Sequence, residues 1–282
     1  MGGGPQPAGG RPVVAFVHIQ KTAGTSMKFI LKHSFGLSHC DVNPLDPAPG
    51  SPFAKADLDF VRRVYPGLRS ISGHEIVEPT RHLGDAVMPY TMLRDPVARM
   101  ISHYQDKNVR GRVALALDDF LEDPAQQDFQ VRKIAGGPDL EKAKRLLDER
   151  YFFVGLTERF AASLRLFAAV CPYPVDLRYQ RQNKAGDDSI SRRLQADESA
   201  MARIRAANRL DAALYDYVAT TLLPARLAAA GGADERPLPS FERSLPPLRF
   251  VLSRVYHRGV YRTALTRARR RRFAEPAMVA GP

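Results

Sequence analysis

The chain has 282 residues, 44% of them hydrophobic and 26% charged, and a formal net charge of +12. Such a composition belongs to a soluble globular protein long enough to bury a sizeable core, and no apolar run approaches the ~20 residues of a membrane span. Two cysteines, Cys40 and Cys171, make neither a disulfide framework nor a metal-ligand pattern. The positive charge suggests a nucleic-acid binder until it is located. Residues 249–273 hold nine arginines and no acid, so the rest of the chain is near balance and no specific nucleic-acid surface is expected.

Residues 1–10 read as a flexible leader: they lack the basic-then-apolar order of a secretory signal and the pattern of an acylation site. A soluble, cytoplasmic protein is expected, with peripheral membrane contact left open. Val13 to Ile19 is a short β-branched apolar run, the mark of a fully buried strand. Met27, Ile30 and Leu31 then fall on one helical face, and that helix is predicted to end near Phe35-Gly36. Residues 41–54, rich in Pro, Asp and Gly, predict a loop, and Leu58–Tyr65 predicts a short helix. Leu68 to Ile76 is read as a brief strand emerging at Gly73-His74. Met88 to Leu93 is a second strand, its proline at the entry, delivering Arg94-Asp95-Pro96 to a helix whose buried stripe is Val97, Met100, Ile101 and Tyr104. Two helical segments within 114–149 break at Gly136-Gly137-Pro138. Tyr151–Leu156 is a buried strand leading to a helix that ends near Val170, Arg181–Asp188 is a polar loop, and one long helix is expected from Ala200 to Leu223. Strands alternating with helices give an α/β class: three layers around a mostly parallel sheet, in one domain over residues 11–223. A Pro/Ala/Gly-rich linker at 224–248 and an Arg-rich C-terminal extension at 249–282 follow.

The chemistry concentrates between the first strand and the first helix. There Lys21, Thr22, Gly24, Thr25 and Ser26 occupy a turn where free backbone N–H groups and a helix dipole meet. Such a turn seats a phosphate or sulfate. It is not a nucleoside-triphosphate loop of the usual form, because Lys21 precedes Gly24 and no glycine opens the turn; nor is there a G-x-G-x-x-G. An ordinary capped helix start is the bland alternative.

Three stretches taken together resemble the sulfotransferase family. They are Val17-His-Ile-Gln-Lys-Thr-Ala-Gly-Thr-Ser26, Ser72-Gly-His74 and Leu93-Arg-Asp-Pro-Val-Ala-Arg-Met-Ile-Ser-His-Tyr104. The branch most similar holds the heparan sulfate 2-O- and 6-O-sulfotransferases and soluble bacterial relatives. Val154–Phe160 and Asn208–Tyr217 resemble later landmarks of that branch, so the likeness spans residues 13–217. It implies a P-loop-like strand–loop–helix that binds 3'-phosphoadenylyl sulfate, moves its sulfuryl group to a hydroxyl acceptor of saccharide type, and releases adenosine 3',5'-bisphosphate without a metal. By the same resemblance, Lys21, Thr22, Gly24, Thr25 and Ser26 hold the 5'-phosphosulfate side, and Arg94 and Ser102 hold the 3'-phosphate. His74 is then the base, with Glu75 or His103 as its alternatives, and Lys21 serves catalysis as well as binding. Glu158 is expected to cap the helix after Gly155, and Lys184 either touches the nucleotide or faces solvent. A nucleotide-dependent kinase and a non-enzymatic polyanion binder are the competing functions. In the second, residues 249–273 would contact an anionic membrane or polymer.

Overall fold

A computed structural model describes residues 12–111, 115–179, 189–239 and 247–273. At its centre lies a sheet of β1 (Val13–Val17), β2 (His39–Asp41), β3 (Ser70–Gly73), β4 (Val87–Leu93) and β5 (Phe153–Leu156), in the order β2-β3-β1-β4-β5. All four pairings are parallel. The α/β class read from the sequence is observed, with a sheet that is parallel throughout. Every residue of β1, β3 and β5 is buried. Parallel strands need crossover connections that cover both faces, and this is why β1 reads as a continuous apolar run and not as an alternating one.

The connection from β1 to β2 is α1 (Gly24–Phe35), that from β2 to β3 is α2 (Lys55–Val64), and the short α3 (Pro79–His82) precedes β4. Between β4 and β5 come α4 (Pro96–Gly111), α5 (Leu117–Glu122), α6 (Phe129–Ala135) and α7 (Leu140–Glu149). Past β5 the chain forms α8 (Phe160–Val170), α9 (Ser189–Ala196), α10 (Glu198–Ala206), α11 (Arg209–Tyr217), α12 (Leu223–Ala229), α13 (Leu248–Tyr256) and α14 (Arg262–Phe273). Met100, Ile101 and Tyr104, the stripe predicted on α4, pack with Phe120, Leu121, Leu194 and Ile204 in a second apolar cluster beside the main core. No helix among the described residues is long and apolar enough to cross a membrane.

Several elements differ from the sequence reading, each for a local reason. Strand β2 is three residues long, too short to show any periodicity. Pro89 lies inside β4 and not at its entry, and its carbonyl accepts the Phe152 N–H at 3.1 Å. The helix expected to run unbroken from Ala200 to Leu223 is divided at Asn208. There Asn208 Nδ2 donates to the Ile204 carbonyl at 2.7 Å, closing α10. Asp128 then accepts the N–H groups of Leu210 and Asp211 at 2.8 and 3.1 Å, satisfying the free donors at the head of α11. Both capping partners are remote or off-pattern, so the break leaves no mark in the helical periodicity.

The stretch expected to begin a linker at residue 224 is still helical as far as Ala229. Leu223 N–H reaches back five residues to the Val218 carbonyl, and Pro224, which has no N–H to lose, follows in the first turn of α12. The Arg-rich extension is likewise no detached tail over its described residues. Tyr261 and Leu265 belong to the central apolar core. The Phe250 ring lies 4.9 Å from Phe29, and the Tyr256 hydroxyl donates to the Val64 carbonyl at 2.7 Å. Its aromatic spacing is only loosely helical in sequence because Arg262 N–H bonds the His257 carbonyl, inserting one wide turn.

Candidate active site

In an open parallel sheet, ligands bind beyond the carboxyl ends of the strands where successive connections diverge. Here β1 lies between β3 and β4. The chain leaves β1 into His18–Ala23, leaves β3 into His74, and leaves β4 into Arg94. Three stretches far apart in sequence are thereby brought to the carboxyl ends of three neighbouring strands.

The turn after β1 is held in an uncommon conformation. Lys21 and Ala23 have φ of 69° and 59°, left-handed values that cost a residue with a Cβ roughly 1–2 kcal/mol. Two contacts hold the turn: Thr22 Oγ1 donates to the Ile19 carbonyl at 2.9 Å, and the Arg94 guanidinium donates to the Lys21 carbonyl at 3.1 Å. Among the described residues, the backbone N–H groups of Lys21, Thr22 and Ala23 meet no protein acceptor. With the head of α1 immediately following, this turn suits an anion. The hydroxyl of Thr22 is turned inward, so Thr22 can offer the anion only its backbone. Thr25 is exposed and Ser26 half-buried in the first turn of α1. The Lys21 ammonium lies 3.3 Å from Asp106 of α4.

Gly24 is required by packing. A Cβ there would lie 1.7 Å from Nε2 of His18. The His18 ring is itself buried and stacked, 5.4 Å from Phe16 and 4.0 Å from His74. Burial, reinforced by His74 and Lys28, lowers the pKa of His18 from 6.5 to about 2. It is a neutral structural ring.

His74 differs from it in one respect. Its Nδ1 lies 3.0 Å from the His18 carbonyl. A carbonyl only accepts, so Nδ1 carries the proton and Nε2 of the neutral ring keeps its lone pair. Burial lowers the His74 pKa, partly offset by that same hydrogen bond. The ring is therefore a free base near neutral pH, and it lines a cavity of about 470 Å³ with Glu75, Asp41, Ser72, Lys28 and Lys32. Of its two alternatives, Glu75 shares this cavity. His103 does not line it; it lies among Phe120, Phe129 and Arg99, with its pKa lowered by burial to about 4.

Arg94 is positioned by residues that the sequence reading passed over. Gln130 Oε1 accepts the Arg94 N–H at 3.0 Å while Gln130 Nε2 donates to the Arg94 carbonyl at 2.9 Å. Gln130 is held in turn by Asp211, which accepts the N–H groups of Gln130 and Val131 at 3.0 and 2.8 Å. Asp211 is fully buried, and burial raises its pKa to about 6 against the pull of Arg99. Arg99 is equally buried and faces the Phe129 ring at 4.9 Å. Lys133 is a further omission: its ammonium bonds the His74 carbonyl, and burial lowers its pKa. Ser102 is half-buried on α4, two turns past Arg94, with no hydrogen bond among the described residues. Glu158 caps a different helix from the one expected: it accepts the Asp95 N–H at 3.0 Å, at the head of α4. Lys184 and its loop lie outside the described residues.

Burial of neutral imidazoles has a consequence for stability. His18, His103 and His257 are held at about 2, 4 and 4, against 6.5 for the exposed group. Between these values the unfolded chain binds more protons than the folded one, so stability is full above 6.5 and falls as the pH drops below it. Asp211, raised to about 6 from 3.8, acts in the opposite direction, but it is one group against three. A lower urea midpoint at about pH 5 than at about pH 7 is expected. A midpoint that holds or rises would mean these rings are not buried neutral.

No family model and no curated protein matches the chain. Among solved structures, one that it resembles is a sulfotransferase from Alicyclobacillus acidocaldarius. The identity is 18%, 71% of this chain and 96% of that one are covered, and the TM-score is 0.34. So loose a superposition carries no argument about activity, which rests on the residues themselves.

Proposed function

We propose that the protein is an O-sulfotransferase that moves the sulfuryl group of 3'-phosphoadenylyl sulfate to a hydroxyl of a saccharide acceptor. One observation carries the proposal: the Lys21 turn, a seat for an anion, and His74 follow the neighbouring parallel strands β1 and β3, and the His18 ring packed against Gly24 of that turn stacks 4.0 Å from the His74 ring. The motif resemblance described above supports the same assignment.

In this reading the donor supplies an activated sulfate whose leaving group is a phosphate. Lys21 and the N–H groups of its turn hold that phosphosulfate, and Arg94 fixes the turn and the more distant phosphate. Nε2 of His74 takes the proton of the acceptor hydroxyl as the new O–S bond forms. The bridging S–O bond breaks with its electron pair going to the phosphate oxygen, where Lys21 balances the growing charge. Lys21 must leave Asp106 to do this, a movement within reach of a flexible four-carbon side chain.

Calorimetric titration with adenosine 3',5'-bisphosphate tests the seat. Arg94→Ala is expected to weaken binding by about 1.5–3 kcal/mol, the scale of a lost charge-assisted contact. Lys21→Ala should weaken binding and also slow single-turnover transfer, because its charge matters more as the bond breaks. If neither substitution weakens nucleotide binding, the seat lies elsewhere. Binding of a nucleoside triphosphate with a divalent metal, and none of the bisphosphate, would replace sulfuryl transfer by kinase chemistry.

A further inference from the structure

Helix α13 presents one face to the body of the protein and a second, apolar face to solvent. Phe250 and Ser253 turn inward and are buried, with the Phe250 ring 4.9 Å from Phe29. The Tyr256 hydroxyl ties the next turn to the Val64 carbonyl at 2.7 Å. Yet Leu248, Val251, Leu252 and Val255 are 72, 39, 45 and 64% exposed. Their spacing of i, i+3, i+4 and i+7 is that of one continuous helical face, the kind a surface helix normally buries. Single exposed apolar residues are ordinary, but these are clustered. Of nine large hydrophobic side chains exposed among the described residues, six lie within 248–273.

This stripe is bordered by cations. At 3.6 residues per turn, Arg249 falls on one side of it and Arg254 on the other. Arg258 and Arg262 continue the second row, and line the His74 cavity together with Arg254. All four arginines are exposed, and no carboxylate lies within ion-pair distance of them among the described residues. The stripe cannot roll inward, because the segment is pinned further along. Tyr261 is fully buried with its hydroxyl accepting the Asn43 N–H at 3.1 Å, and Arg269 donates to the Pro44 carbonyl at 2.6 Å.

Charge and shape together choose the occupant. A polyanion in solution would engage the arginines but leave four aliphatic side chains in water. A second copy of the chain would set two segments of nine arginines and no acid against each other, a like-charge contact that opposes association. A protein partner is usually anchored by Trp, Tyr or Arg, with Leu and Val under-represented, and this stripe has no aromatic residue. A lipid bilayer needs only aliphatic side chains flanked by cations.

We propose that α13 is an interfacial helix by which the protein docks on a bilayer containing anionic phospholipid. Leu248, Val251, Leu252 and Val255 enter the boundary between headgroups and acyl chains, a depth of about 5–10 Å for helices of this kind. Arg249, Arg254 and Arg258 meet lipid phosphates, their aliphatic stems lying along the boundary. The arginines of α14 add attraction toward an anionic leaflet. Docking of this kind is independent of what happens at His74.

The test is co-sedimentation of the full chain with vesicles of phosphatidylglycerol mixed into phosphatidylcholine, and with vesicles of phosphatidylcholine alone. The mixed vesicles should bind roughly tenfold or more tightly, with an affinity that falls as salt rises. R249Q/R254Q/R258Q should lose most of that preference. L248Q/L252Q/V255Q leaves every charge in place and should still lose roughly tenfold or more in affinity for the mixed vesicles. Both variants change exposed positions only, so their urea midpoints should match that of the unsubstituted protein. The chain has no tryptophan, so V255W supplies a lone indole. With mixed vesicles its emission should shift to the blue and be quenched by lipid brominated on the acyl chain; V109W, on exposed Val109 of α4, should show neither change. A glutamine-stripe variant that binds as well as the unsubstituted protein overturns the proposal, since charge alone then suffices. So does an indole at position 255 that stays in water on vesicle-bound protein, or a protein that binds neither kind of vesicle. A dimer in sedimentation equilibrium that L248Q/L252Q/V255Q dissociates would give the stripe to a second copy instead.

Discussion

Replacing His74 with alanine is expected to lower single-turnover sulfuryl transfer roughly 10²-fold or more, the scale of a lost general base, and to leave affinity for adenosine 3',5'-bisphosphate nearly intact. The split follows from what the ring touches. Its Nδ1 is engaged by the His18 carbonyl at 3.0 Å, and the residue lines a cavity that has neither Arg94 nor Lys21 in its lining. The measurement must be made at saturating donor and acceptor, so that a change in binding cannot imitate a change in chemistry. The rate should also decline on the acid side, below the ordinary histidine value, since burial depresses the His74 pKa and the base must be unprotonated. His74→Gln separates base from spacer: its amide can keep the bond to His18 but cannot take the proton. A His74→Ala protein that loses nucleotide affinity yet turns over normally once saturated would remove His74 from the role of base and leave Glu75, in the same cavity, as the candidate.

The sequence made the central strands and the anion turn legible because their signals are local. Val13–Val17 is continuously apolar, and Lys21, Gly24 and the hydroxyls stand together in the turn that follows. Arg94 and His74 were legible as strand-end residues, and the parallel order of the sheet explains why they meet β1. What was not legible depends on distant partners. Gln130 looks like any polar residue on a helix until its amide is seen clamping both backbone groups of Arg94. Asp211 lies within the stretch Asn208–Tyr217, yet its contact with the N–H groups of α6 spans about eighty residues of chain. The C-terminal arginines could be counted from the sequence but not placed, because one wide helical turn decides which of them face the cavity.

Gly24→Ala should be the most damaging single-methyl change near the site. The new Cβ would fall 1.7 Å from His18 Nε2 and 2.3 Å from Cδ2, so the imidazole must move. It has little room, being buried and stacked on both Phe16 and His74. Forced overpacking of this kind costs about 1–3 kcal/mol, occasionally more. The displaced ring would carry the disturbance to His74, so transfer should slow even in the fraction that remains folded. His18→Ala alone removes the obstacle at the price of a small void and of the carbonyl's neighbouring ring. The double variant G24A/H18A should then be more stable than the sum of the single losses, with a coupling of about 0.5–3 kcal/mol. Urea denaturation of the unsubstituted protein, the two single variants and the double variant gives that coupling directly. Purely additive losses would show that Gly24 is needed for some reason other than the His18 ring. A positive coupling without recovered transfer would show that the His18–His74 stack, and not the glycine itself, is what aligns the base.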